Sequence, residues 1–134
     1  MYLPSKLMFF YKKFFDKGFS GIKYSDLSYT PLSEDEIINI LAKSKIVIDI
    51  NHNLQNGLTS RTFETLAANK KLLTTNSSIS EYDFYDKNNI DIINRNNPKL
   101  SADFLSSEYN VDMSQLISNY SIKNWVTEIF RIKN

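Results

Sequence analysis

The middle of the chain has apolar residues at helical spacing, followed by an uninterrupted apolar run. Ser33 to Ala42 predicts a helix, because Ser33 can cap it while Glu36 reaches back to complete a capping box. Lys45 to Ile50 is β-branched and apolar without polar alternation, which predicts a strand buried on both faces, as in a parallel sheet. The helix would bury a stripe of four apolar residues: Ile37, Ile38, Ile40 and Leu41.

A second helix and two further strands follow. The segment from about Thr59 to Asn69 predicts a helix capped by Thr59 or Ser60. Lys71 to Thr75 and Asn89 to Asn94 predict short strands. Helices that alternate with strands in this way are typical of an α/β fold with a parallel sheet.

The last part of the chain predicts helices again, at Ser101 to Ser106, Met113 to Ser118 and Ser121 to Ile132. The last of these carries a wide apolar stripe, which we interpret as core and not as a cofactor site. The stripe comprises Ile122, Trp125, Val126, Ile129 and Phe130.

Residues 6–15 fit two structures. Leu7, Phe10, Tyr11, Phe14 and Phe15 match helical spacing, whereas residues 7–11 are also a continuous apolar run of strand length. An α/β domain needs an early strand against which the helix at Ser33 can pack. We therefore predict a strand here, with the helix as the alternative.

The composition fits one soluble domain of 134 residues and excludes several kinds of chemistry. With 16 basic and 15 acidic residues, the chain has no broad basic surface for nucleic acid. The lack of cysteine and the single His52 argue against thiolate zinc sites and multi-histidine clusters, so we expect no metal and no cofactor. The first apolar run is too short for a signal peptide or a membrane span, and we expect a cytoplasmic protein.

The basic residues are unevenly distributed. The first 24 residues hold five lysines against a single acid, Asp16, together with many aromatic residues. Three interpretations remain open: peripheral contact with an anionic membrane surface, docking to a missing N-terminal domain, or a first core strand with a solvated basic turn.

Ligands of open parallel sheets bind beyond the carboxyl ends of the strands, which indicates three loops: residues 51–59, 75–80 and 95–98. In the first loop, backbone N–H groups of Thr59, Ser60 and Arg61 would form an anion site at a helix N-terminus. Arg61 would add the cation that a diphosphate needs. Gly57 would allow a close backbone approach or a positive φ, and His52 could contact phosphate or sugar.

Glu64 lies one helical turn beyond Arg61 and has two interpretations. Its carboxylate could accept hydrogen bonds from the two hydroxyl groups of a ribose. It could instead form an exposed intrahelical ion pair with Arg61, which spacing alone favours.

The segments Ser44 to Ile50 and Gln55 to Asn76, around the core Arg61-Thr62-Phe63-Glu64, resemble the C-terminal half of GT-B glycosyltransferases. The likeness is to bacterial group-1-type enzymes of lipopolysaccharide and capsule synthesis, and it extends over most of residues 33–130. It implies a Rossmann-like three-layer domain with C-terminal helices that binds a nucleotide-diphosphate sugar, with metal-independent sugar transfer in the full enzyme. The resemblance also implies that Glu64 binds the ribose.

By this resemblance, residues 1–134 form a single donor-binding domain, and the N-terminal domain that holds a glycan or lipid-linked acceptor is absent. Asn56 stands where many relatives have a glutamate near the donor sugar, and an amide cannot stabilise positive charge as a carboxylate does. We expect Asn56 and Gly57 to border the sugar, and Thr75 and Asn76 to line the facing loop. The alternative is a non-catalytic Rossmann-like module that binds a nucleotide or a partner.

Overall fold

The computed structural model describes residues 5–28, 30–52, 57–111 and 113–130. The chain divides into two units, Met1–Asn39 and Ile40–Asn134. The sheet and its helices belong to the second unit. In the part of the chain that the structure describes, no helix has the length and apolar character needed to cross a membrane.

The first unit is built on helix α1, Lys6–Phe15. Ser5 caps it, because its Oγ accepts a hydrogen bond from the backbone N–H of Met8 (3.2 Å). The strand predicted for residues 6–15 is therefore wrong and the helical alternative is correct. The physical reason is that no described strand pairs with this segment, so its backbone satisfies its own hydrogen bonds locally.

Helix α2 spans Glu34–Lys43 and confirms the predicted capping box. The backbone N–H of Ser33 donates to Glu36 Oε2 (2.8 Å), and the N–H of Glu36 donates to Ser33 Oγ (3.3 Å). These bonds favour the ionised carboxylate and lower the pKa of Glu36. The predicted buried stripe is wrong, because Ile38 and Ile40 are both more than half exposed.

The second unit contains a parallel sheet of three strands, β1 (Ile46–Asp49), β2 (Lys71–Thr74) and β3 (Ile90–Ile92), in the order β1-β2-β3. This confirms the α/β order and the parallel sheet. The central strand β2 is buried along its whole length. The predicted burial of β1 on both faces is wrong, since β1 is an edge strand and Ile48 is 61% exposed.

Four helices complete the second unit: α3 (Ser60–Ala67), α4 (Ala102–Ser106), α5 (Met113–Asn119) and α6 (Ile122–Phe130). Helix α3 packs against β1, β2 and α5. The core around it includes Leu66, Leu72, Ile79, Phe84, Ile90 and Ile117. The apolar stripe of α6 is not core as predicted, because Ile122, Trp125, Ile129 and Phe130 are all more than half exposed.

Two buried polar side chains of the second unit hold loops to the sheet. The ammonium group of Lys71 donates to the carbonyl oxygens of Phe104 and Ser107 at the end of α4, and to Ser107 Oγ (2.9 Å). Asn89 donates through Nδ2 to Asn110 O (2.9 Å) and accepts through Oδ1 from the Asn110 N–H (2.7 Å). Both groups are buried and paired, as polar groups in a protein interior need to be.

Candidate functional site

The three loops indicated by the sequence meet at the carboxyl edge of the sheet. Asn51, after β1, donates its backbone N–H to Thr75 Oγ1 (3.2 Å), and the Thr75 hydroxyl donates to Asn51 Oδ1 (2.5 Å). Arg95, after β3, donates from its guanidinium to the carbonyl oxygen of Asn51. Asn51 thus joins the loops that follow all three strands, and Arg95 brings a second cation to this edge.

Asn76 fixes the loop after β2 to the loop before α3. Its Nδ2 donates to the carbonyl oxygen of Gly57 (3.2 Å), and its Oδ1 accepts from the N–H of Ser78 (3.1 Å). The side chain is only 6% exposed. Asn76 therefore positions the two loops and offers little surface to a ligand, and Thr75, which is bonded to Asn51, has the same kind of role.

The start of α3 is tied to the end of β1 by a carboxylate. Thr59 caps the helix by accepting from the Thr62 N–H (3.3 Å), and its hydroxyl donates to Asp49 Oδ2 (2.5 Å). The Thr62 hydroxyl donates to the same oxygen (3.3 Å). The cap predicted at Thr59 is confirmed. The carboxylate of Asp49 lies beside the positive end of the α3 dipole and opposes a further anion there.

Arg61 and Glu64 form the intrahelical ion pair that spacing alone had favoured. Arg61 Nη1 lies 2.8 Å from Glu64 Oε2, and the two side chains are 40% and 48% exposed. The pair orients the carboxylate while leaving nearly half of its surface open. An exposed pair of this kind contributes only about 0.3–0.5 kcal/mol to stability.

Glu64 also lines an open cavity of about 590 Å³ beside α3. Ser60 and Phe63 line it from α3, and Tyr120 and Ile122 line it from the end of α5 and the start of α6. The rings of Phe63 and Tyr120 are stacked, with their centroids 5.5 Å apart. The sequence did not indicate this cavity, because its second wall comes from a part of the chain more than fifty residues away.

Tyr120 is held in that wall by a hydrogen bond. Its hydroxyl donates to Asp83 Oδ1 (2.8 Å). This bond, with desolvation and the charge of Asp83, raises the pKa of Tyr120 to about 12. Tyr120 is therefore neutral at physiological pH and presents a fixed aromatic ring to the cavity.

Four further residues were predicted to contact the ligand, and the structure describes three of them: Gly57, His52 and Ser60. Gly57 has no positive φ, so that reason for a glycine does not apply, and a Cβ atom at this position would meet no atom of the described residues within 4 Å. His52 is exposed beside Asn51, whose Nδ2 donates to the His52 carbonyl oxygen (3.4 Å). Ser60 is exposed in the first turn of α3, and Asn56 lies outside the described residues.

No protein-family model, curated protein or solved structure matches the chain. Among residues 5–28, 30–52, 57–111 and 113–130, no three histidine, aspartate or glutamate side chains are grouped so as to hold a metal ion. The function has to be inferred from the geometry at the carboxyl edge of the sheet and along α3.

Proposed function

We propose that the chain binds a nucleotide-diphosphate sugar and is the donor-binding half of a GT-B-type glycosyltransferase that acts without a metal. The observation that carries this proposal is the position of Glu64, whose half-exposed carboxylate lines an open cavity walled by aromatic rings. A ribose has two adjacent hydroxyl groups, and each can donate a hydrogen bond to a carboxylate. The sheet is compatible with this fold, because three neighbouring strands in sequential order form one half of a doubly wound sheet.

The nucleoside would bind along α3. Glu64 would accept from the ribose hydroxyl groups while Arg61 keeps its carboxylate in place. The base would pack on the apolar wall that includes Phe63 and Tyr120, since flat aromatic groups bind favourably to one another. The cavity volume of 590 Å³ lies within the range of small-molecule sites, about 300–1,000 Å³.

The diphosphate would bind at the first turn of α3. The N–H groups of Ser60 and Arg61 have no acceptor within the helix, because the first turn of any α-helix lacks one. A helix terminus contributes only about 0.3–1 kcal/mol towards an exposed charge, and Asp49 opposes it here. Arg61 and Arg95 would supply the missing positive charge and stabilise the leaving diphosphate as its charge increases.

The donor sugar would lie beyond the diphosphate, next to Gly57 and Asn56. No atom of the described residues lies within 4 Å of a Cβ position at Gly57, which is compatible with a ligand there. His52 is exposed on the same loop and could contact a phosphate or a hydroxyl group. A glycan or lipid-linked acceptor would be held by a further domain, so this chain by itself should bind donor and transfer nothing.

Titration of the chain with UDP, GDP and CMP, followed by calorimetry and by amide chemical shifts, tests the proposal. We expect one of these nucleotides to shift the amide signals of residues 57–64 at millimolar concentration. Glu64→Ala should weaken this binding about tenfold while leaving the melting temperature nearly unchanged, because the lost ion pair is exposed. Glu81→Ala is the matched control, since Glu81 is an exposed glutamate outside the cavity.

Two results would contradict the donor site. One is the absence of any shift at residues 57–64 with every nucleotide. The other is equal binding by the Glu64→Ala and Glu81→Ala variants. A large fall in the melting temperature of Glu64→Ala alone would show that Glu64 is structural.

A second candidate function is the binding of a protein partner by α6. Ile122, Trp125 and Phe130 expose a large apolar surface on this helix, and large exposed apolar patches are typical of interaction sites. If no nucleotide binds, a Trp125→Ser variant with reduced self-association or partner binding would favour this function.

A further inference from the structure

Helix α1 presents an unusually apolar face to solvent. Leu7, Phe10, Tyr11, Phe14 and Phe15 share one side of the helix, at the spacing i, i+3, i+4, i+7 and i+8. Each of these side chains is between 62% and 85% exposed. We refer to these five residues as the aromatic face. Such a cluster of exposed aromatic residues is costly in water and indicates a surface that is covered in use.

The opposite side of α1 holds the helix in its own unit. Phe9 points away from the aromatic face and is 2% exposed, in a small core with Phe19 and Leu27. The helix is thus anchored by one side while the other side remains open. Ring contacts also order the aromatic face itself, with centroids 4.8 Å apart for Tyr11 and Phe15 and 5.2 Å apart for Phe14 and Phe15.

Two lysine side chains of α1 lie against its small core. The Lys12 ammonium lies 5.2 Å from the Phe19 ring centroid, and the Lys13 ammonium lies 5.4 Å from the Phe9 centroid and donates to the Ile22 carbonyl oxygen (3.3 Å). Both ammonium groups therefore lie towards the core side of α1 and not among the exposed rings. Lys6, Lys17 and Lys23 add further positive charge to this unit.

Asp16 and Asp26 are the two acids of residues 5–28, and neither pairs with one of the five lysines there; the other three acids of the unit, Glu34, Asp35 and Glu36, lie in the first turn of α2. Asp16 accepts from the N–H of Gly18 (2.9 Å), and Asp26 accepts from the N–H of Lys23 (2.9 Å). Within the residues that the structure describes, no acidic side chain of the unit forms an ion pair with a lysine. The excess of lysine over acid in residues 5–28 is available to an external anion.

We infer that α1 binds the surface of an anionic phospholipid bilayer and lies in its plane. The aromatic face would enter the boundary between headgroups and acyl chains, and the lysines of residues 6–23 would attract the phosphate groups. The ten residues of α1 span about 15 Å, which suits a helix that lies on a membrane and is too short for one that crosses it. This inference is independent of the nucleotide site, which lies in the other unit.

Charge complementarity favours lipid over a second copy of the chain as the partner. Two copies of residues 5–28, each with five lysines and two acids, would repel one another, whereas an anionic bilayer attracts the lysines and takes up the rings. Two signals, insertion and charge, are also what stable peripheral binding requires.

Co-sedimentation of the full chain with vesicles tests the inference. We expect binding to vesicles of phosphatidylcholine with phosphatidylglycerol, much weaker binding to phosphatidylcholine alone, and release by high salt because exposed charges are screened. Phe14→Ser should weaken the binding about tenfold, the effect of losing one inserted aromatic side chain. Lys12→Gln with Lys17→Gln should weaken it on anionic vesicles only.

Phe130→Ser is the matched control, because Phe130 is also an aromatic residue near a helix end and is 70% exposed, but it lies in the other unit. Equal loss of binding in Phe130→Ser and Phe14→Ser would overturn the inference, as would equal binding to neutral and anionic vesicles. Absence of vesicle binding together with self-association that Phe14→Ser abolishes would assign the aromatic face to a second copy instead. Circular dichroism confirms that each variant remains folded.

Discussion

The carboxylate of Asp49, at the end of β1, accepts a hydrogen bond of 2.5 Å from the hydroxyl of Thr59, the cap of α3. This bond joins the strand to the helix that carries Glu64, so it sets where the carboxylate of Glu64 lies. The same Thr59 oxygen accepts from the Thr62 N–H (3.3 Å). One hydroxyl group therefore ends the loop, starts the helix and binds a partly buried carboxylate.

Loss of the Thr59 hydroxyl should destabilise the second unit. Thr59→Ala removes both the helix cap and one of two hydroxyl donors to Asp49, and we expect the free energy of unfolding to fall by about 1–2 kcal/mol. Urea denaturation measures this difference. Thr59→Ser keeps the hydroxyl group and should lower the free energy of unfolding by less than half as much. Equal losses in the two variants would show that the methyl group, and not the hydroxyl, matters.

Arg61 should contribute to the binding of phosphate and little to stability. Arg61→Ala removes an ion pair with exposed partners, so the free energy of unfolding should change by less than about 0.5 kcal/mol. The affinity for UDP or GDP should fall about tenfold, because a charged hydrogen bond to the diphosphate is lost. The parent nucleoside, which lacks phosphate, is the matched control ligand, and its affinity should fall less in the Arg61→Ala variant. If calorimetry gives equal losses of affinity for the nucleoside and the nucleotide, Arg61 acts only through Glu64 on the ribose and does not contact the diphosphate.

Lys71 should be a structural residue despite its charge. Lys71→Met keeps the length of the side chain but leaves the Phe104 and Ser107 carbonyl oxygens without this donor, and we expect the free energy of unfolding to fall by about 1–3 kcal/mol. Thermal and urea unfolding measure the loss. Lys45→Met, at an exposed lysine, is the control and should change stability by less than about 0.5 kcal/mol. A Lys71→Met variant as stable as Lys45→Met would contradict the structural role.

The contribution of Tyr120 to the stability of the fold should be lost at alkaline pH. Because its pKa is raised from 10.0 to about 12 in the folded state, its contribution is complete below pH 10 and is lost as the pH rises towards 12. Urea unfolding at a series of pH values measures this loss, and titration of tyrosinate absorbance locates the pKa. The Tyr120→Phe variant should lose less stability between pH 10 and pH 12. Asp83→Asn should return the pKa of Tyr120 towards its usual value, since the charged acceptor is gone.

The sequence by itself determined several local elements of both units. Ser33 with Glu36 and Thr59 as a cap could be recognised because their hydrogen bonds join residues three apart, which a linear pattern contains. The order of helices and strands likewise indicated a parallel sheet. For residues 6–15, the helical spacing was the better guide, and the argument from the needs of an α/β sheet was wrong, because this segment folds in a separate unit.

Only the tertiary structure decided which apolar residues are buried and which side chains share a site. Periodicity shows that Ile48 and Trp125 lie on apolar faces, but exposure depends on whether another element covers the face, and here none of the described elements does so fully. The aromatic wall opposite Glu64 and the bond between Asn51 and Thr75 join residues far apart in the chain. Such contacts arise from packing in three dimensions, which local spacing does not encode.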